Sequence, residues 1–124
     1  MNNWGDFEFN EPYLGDEILK INSVVLQKQY VEFMEEHDGG EGDIGETWLI
    51  LFPLEELQEI NNDYCIEEFL PNHIIIGSNG GGELYGINDE GYYFNVPEMI
   101  EDNIITLFGN DLDSLPTKIN MFWK

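Results

Sequence analysis

Few side chains in this sequence are suited to nucleophilic or acid–base chemistry: one cysteine, Cys65, and two histidines, His37 and His73. A Cys65–His73 dyad would need the two residues to meet in space, and nothing in their spacing brings them together. No Gly-x-Ser-x-Gly elbow is present to expose a serine nucleophile. His37 follows an apolar-periodic stretch, where an imidazolium favours the negative end of a helix. His73 opens a β-branched run as a strand-edge residue. Carboxylates are so numerous that a glycosidase-like pair can be drawn almost anywhere, so none is singled out. The EF-hand spacing D-x-[DN]-x-[DN]-G is not met from Asp38, Asp43, Asp63, Asp89 or Asp111. Gly77–Gly82 (GSNGGG) lacks the third glycine and following helix of a dinucleotide loop, and it lacks the Gly-Lys-Ser/Thr of a P-loop. It reads as a tight hairpin. A lone cysteine can form neither an intramolecular disulfide nor a Cys-based zinc site. These residues point to no catalytic group, no metal and no cofactor.

The elements that would position these groups follow from periodicity. Residues 1–11 read as an irregular arm. A helix is expected over 15–22, capped by Asp16, with Ile18, Leu19 and Ile21 on one side. A second is expected over 26–37, where Leu26, Tyr30, Phe33 and Met34 share a face, stopped by Gly39 and Gly40. Residues 41–46 (EGDIGE) read as a loop that, with Asp38, holds Asp38, Glu41, Asp43 and Glu46 within nine residues. The run 47–52 (TWLILF) predicts a strand buried on both faces, with Trp48 in the core. Pro53 starts a helix carrying Leu54, Leu57 and Ile60, broken at 61–63 and followed by a helical turn over 66–70. Strands are then expected over 73–78, 83–88 and 92–96, joined by turns at 79–82 (NGGG) and 89–91 (DEG), with another over 103–108. A final helix covers 112–123, with Pro116 in its first turn and Leu115, Ile119, Phe122 and Trp123 as an apolar patch. Helices, then an antiparallel meander, then a helix predict an α+β domain.

A chain of 124 residues with 42% hydrophobic content and 17 aromatics has the means to bury a core. Its charge is the outlier. Twenty-six acidic residues face four lysines and no arginine, for a net charge of −22. The acidic residues are spread evenly, ten in 1–41, nine in 42–83 and seven in 84–124, so the whole domain is acidic rather than a tail. No basic face exists to neutralise a phosphate backbone, which excludes direct nucleic-acid binding. An anionic membrane surface would repel the chain. The first ten residues have neither a basic nor an apolar leader region, and the longest apolar run is the six residues 48–53, so a cytoplasmic protein is expected.

Four segments, in order, resemble the SUKH superfamily, the Smi/Knr group of fungal cell-wall-synthesis regulators and bacterial toxin-immunity proteins. They are Tyr30-x-x-Phe33-Met34-x-x-His37-Asp38-Gly39-Gly40, the stretch Leu49–Leu57 (LILFPLEEL), the stretch Ile76–Gly86 (IGSNGGGELYG), and Asn95-Val96-Pro97. The resemblance covers roughly 18–97 plus the C-terminal helix. Two positions depart from the family pattern: Leu26-Gln27 replaces Leu-Pro before the first motif, and Asp38 replaces the asparagine before Gly-Gly. The resemblance implies an α+β fold with a central, mainly antiparallel sheet of about four to six strands flanked by helices, and in bacteria an immunity protein that neutralises a toxin domain by binding it. The −22 charge suits a basic partner, such as a toxin domain that must itself bind phosphates. On this reading Asp38, Glu41, Asp43 and Glu46, with Glu83 and Tyr85 near the hairpin, form the contact surface. Gly39, Gly40, Gly80, Gly81 and Gly82 shape turns. Two rival expectations are a scaffold or regulator of cell-wall or envelope synthesis, and a small-ligand-binding domain with a pocket beside the sheet.

Overall fold

The computed structural model describes residues 4–99 and 105–123. In chain order the elements are β1 (Glu8–Phe9), β2 (Lys20–Ile21), β3 (Val24–Val25), α1 (Lys28–Glu36), β4 (Gly40–Asp43), β5 (Trp48–Leu51), α2 (Leu57–Asp63), α3 (Ile66–Phe69), β6 (His73–Ser78), β7 (Glu83–Asn88), β8 (Tyr93–Pro97), β9 (Thr106–Leu107) and α4 (Leu115–Phe122), with 3-10 turns at Leu54–Glu56 and Leu112–Ser114. Among the described residues seven strands form one sheet, ordered β1-β4-β5-β6-β7-β8-β9, with every neighbouring pair antiparallel. This is the expected α+β architecture, one strand larger than anticipated.

The meander β6-β7-β8 forms where the sequence places it, because its turns are made locally. Asn79 Oδ1 accepts from the N–H groups of Gly81 (2.7 Å) and Glu83 (3.1 Å), and Gly80 takes φ +73°. Asn88 Oδ1 does the same for Glu90 (2.9 Å) and Tyr92 (3.0 Å). β9 extends the sheet beyond β8 within the expected 103–108 strand; positions 103 and 104 lie outside the described residues.

Several expectations are overturned in the first half. Residues 15–22 are not helical. β2 and β3 make a small hairpin, turned by Asn22 at φ +53° and Ser23, and they bury Ile21 and Val24. The Ile-Asn-Ser-Val-Val run is a two-residue turn between β-branched residues, and the apparent helical side of Ile18, Leu19 and Ile21 is too short to outweigh it. The arm contributes an edge strand: Phe7 and Phe9 point to the core, and Trp4 stacks on Phe33 of α1 at 5.2 Å between centroids. Residues 40–43 are a strand, not a loop. α1 ends at Glu36, His37 is already extended, and Gly40 sits inside β4 rather than stopping the helix. A Cβ on Gly40 would lie 2.2 Å from the Glu8 carbonyl oxygen, so only glycine lets β1 close on β4. The expected break at 61–63 is absent. Asn61 lies in α2 and is buried, donating to the carbonyls of Leu57 (2.8 Å) and Ile75 (3.0 Å) and accepting from the Ile75 N–H (2.8 Å). These bonds fasten α2 to β6 and outweigh asparagine's weak helix propensity.

Two cores result. The larger lies on the sheet face under α1, the β2–β3 hairpin and α4, and includes Tyr30, Met34, Leu49, Leu51, Tyr85, Ile87 and Ile119. The smaller lies on the reverse face, where α2 and α3 cover Ile75, Leu84, Phe94 and Val96. No helix of the described residues is long and apolar enough to cross a membrane.

Candidate functional site

The reverse face is covered only over its β6–β8 half. Its other half, across β1, β4 and β5, is bare. β4 reads Gly-Glu-Gly-Asp with burial alternating in step, so Glu41 and Asp43 project outward while Gly40 and Gly42 lie against the neighbouring strands. The register places Glu8 opposite Glu41, Glu41 opposite Ile50, and Asp43 opposite Trp48. Asp6 joins them, its N–H bonded to the Asp43 carbonyl at 3.0 Å. Together Asp6, Glu8, Glu41, Asp43, Asn10 and Trp48 line an open concavity of about 520 Å³. Trp48 is 41% exposed, which corrects its expected place in the core. The helices over the reverse face pack chiefly on β6. The Gly80 turn flanks this indole, since a Cβ there would be 4.0 Å from Trp48 Cδ1.

Glu8 directly opposite Glu41 is a like-charge cross-strand pair, which costs stability in the free protein. A cation between them would remove that repulsion. An exposed indole beside carboxylates adds a face for a guanidinium or ammonium group. The groove thus suits basic side chains.

The chain matches the SMI1 / KNR4 family (SUKH-1) over residues 16–115. It belongs to that family. Comparison with curated proteins finds no match. SUKH-1 domains are generally non-enzymatic immunity or regulatory domains. The matched span contains β4 and β5, but Asp6 and Glu8 lie before it. One wall of the groove therefore comes from the SUKH-1 span and the other from the preceding arm.

The structure scatters the other residues expected at the contact surface of this SUKH-1 chain. Asp38 is half-buried and accepts from the Leu54 N–H at 2.8 Å, at the first residue of the 3-10 turn that leads into α2. Burial pushes its carboxyl pKa up, the Leu54 bond opposes that, and Glu55 adds to it. Glu46 lies in the β4–β5 loop, its N–H bonded to Asn120 Oδ1 of α4 at 3.2 Å. Glu83 and Tyr85 share the opposite sheet face. Glu83 accepts from Asn95 Nδ2 at 3.0 Å. Tyr85 is only 1% exposed, which corrects its assignment to a contact surface. Its hydroxyl accepts from Trp123 Nε1 at 2.8 Å, and burial pushes its pKa up to about 12. Only Glu41 and Asp43 of the expected set come together. Asp6, Glu8 and Trp48 were missed, although the Asp-Phe-Glu-Phe alternation at 6–9 is a legible strand signal.

The remaining reactive groups are placed structurally. The His37 ring packs on Phe9 (4.7 Å) and His73 stands edge-on to Phe94 (5.1 Å). Cys65 links α2 to α3 in the left-handed region, at φ +54°. No group of His, Cys, Asp and Glu among the described residues has the arrangement to hold a metal ion.

Proposed function

We propose that this SUKH-1 chain is a cytoplasmic, non-enzymatic immunity protein that neutralises a cognate basic toxin domain by binding it through the acidic groove. The observation that carries this reading is the convergence of Asp6, Glu8, Glu41 and Asp43 around an exposed Trp48 on an uncovered part of the sheet. Family membership supports a binding or regulatory module. The net charge of −22 supports a protein partner of opposite sign over a nucleic acid or a membrane, and would steer its approach. Specificity is set where the arm, outside the family span, supplies one wall of the groove.

The test compares tagged wild type with an E41K/D43K variant in pull-downs from the native cell at about 50 and about 500 mM salt, where screening of surface charge differs strongly. The captured protein is then purified and titrated against both. A single basic protein is expected, bound at least about tenfold more weakly by the variant. Equal affinity for both variants would show that the groove is not the contact surface. Capture of envelope-synthesis proteins instead would favour a regulator of cell-wall synthesis, the second role known in the family.

A further inference from the structure

A second concavity, of about 300 Å³, lies on the other side of the molecule, between the β2–β3 hairpin and α1. Its floor is apolar. Val31 is buried there, but Leu19 is 49% and Val25 65% exposed, so two aliphatic side chains of the hairpin face water along the cleft. Its rim is charged: Glu17 from the hairpin side, and Glu32 and Glu35 from α1, against Lys28 of α1, with Lys20 beside it opposite Val25 on the same hairpin face. Lys28, Val31, Glu32 and Glu35 fall at i, i+3, i+4 and i+7, one stripe of the helix, so floor and rim are presented together. α1 and the hairpin cover the sheet face opposite Trp48 and Ile50, which separates this cleft from the acidic groove.

We infer that this cleft is a second docking surface, for a partner segment that presents leucine- or phenylalanine-like side chains flanked by lysine or arginine. The choice of occupant rests on charge. A second copy of this chain, at −22, would bring a surface of the same sign to a carboxylate rim. A fatty acid or an anionic membrane is repelled for the same reason. A neutral apolar segment would fill the floor but add no positive charge to a rim whose carboxylates outnumber its ammonium groups. Apolar anchors with basic flanks satisfy both parts, in the manner of an amphipathic segment laid into a groove.

The test is an NMR titration of the full chain with three synthetic peptides. One is a leucine–lysine amphipathic peptide, one a serine–lysine peptide of equal charge, and one a leucine–glutamate peptide. Only the leucine–lysine peptide is expected to shift the amides of Leu19, Val25, Val31 and Glu35. The L19S/V25S variant, altered at exposed positions and read for folding in the same spectra, should weaken that binding by about tenfold or more. The proposal is overturned if the serine–lysine peptide binds this cleft equally well, if the variant binds unchanged, if the leucine–glutamate peptide binds as tightly, if the shifts fall only around Glu8, Glu41 and Asp43, or if no peptide binds. Because the amides of the two clefts are read separately, loss of binding here would leave the acidic groove untouched.

Discussion

The two halves of the sheet are built by opposite means. Across β6, β7 and β8 both faces are covered, strand residues such as Ile74, Ile75, Leu84 and Phe94 are fully buried, and close contacts run between backbone and ring. Across β1, β4 and β5 one face is bare, β1 has two residues, and the outward positions are carboxylates. The bare half carries like charges opposite one another, a cost that a counter-charge would relieve. On the proposed reading, stability and recognition fall to different strands of one sheet.

Matched glycine substitutions give the sharpest break of this comparison. A Cβ on Gly86 would sit 2.0 Å from the Ile74 carbonyl oxygen and 2.5 Å from the Phe94 ring, with covered sheet on both sides. Gly86→Ala is expected to cost about 4 kcal/mol or more, among the large losses that follow core overpacking. Gly40→Ala meets the Glu8 carbonyl oxygen at 2.2 Å, but β1 is an edge strand free to move away. A loss of about 1–3 kcal/mol, the range for local backbone strain, is expected there. Urea denaturation of both variants reads the difference. Equal losses would mean that the edge is held as rigidly as the centre.

A smaller effect is expected at Asp38, which ties the end of α1 to the start of α2. Its folded-state pKa is raised by burial, so the folded protein holds this proton more tightly than the unfolded chain. The contribution is therefore present at low pH and lost as pH rises through the folded pKa. Asp38→Asn keeps an oxygen acceptor for the Leu54 N–H and removes the buried charge. The stability of this variant relative to wild type should be higher at about pH 7 than at about pH 3, below the ordinary aspartate pKa. A relative stability that does not change with pH would place the carboxyl in a more solvated setting.

The smallest expected effect returns to the bare half. Glu41→Thr removes the repulsion across from Glu8 and should stabilise the free protein by a few tenths of a kcal/mol at low salt. Salt should shrink the gain, because an exposed pair is screened. Thermal melts at two ionic strengths measure it. Destabilisation at low salt would show that Glu41 makes a compensating contact in the free protein.

What was legible from the residues follows the range of the interactions that decide each element. The β6–β8 hairpins rest on Asn79, Gly80 and Asn88 acting within four residues of themselves, and they stand where expected. The helix carrying Tyr30 and Met34 was visible in its apolar spacing, and α4 in its Pro116 start. The strand Gly40–Asp43 was not visible, because Gly-Glu-Gly-Asp has almost no intrinsic preference for a strand. It is extended because β1 and β5 bond it from both sides. Residue 61 looked like a helix break until Ile75 supplied both hydrogen-bond partners for its side chain.

The same division holds for function. Charge, the lack of a nucleophile–base motif and the four ordered SUKH-like segments are properties of the chain itself; the segments point to the family and the α+β class, and the charge is what the proposal of a basic partner rests on. Where that partner would sit is a property of packing. Asp6 and Glu8 are more than thirty residues from Glu41 and Asp43 in sequence, and they share a groove only because an aromatic arm folds back to add a strand. Trp48 looked like core because its run is apolar, and it is 41% exposed while α2 and α3 pack chiefly on β6. Periodicity specifies which side of a strand faces in or out relative to its neighbours; whether another element then covers that side is decided only by the tertiary structure.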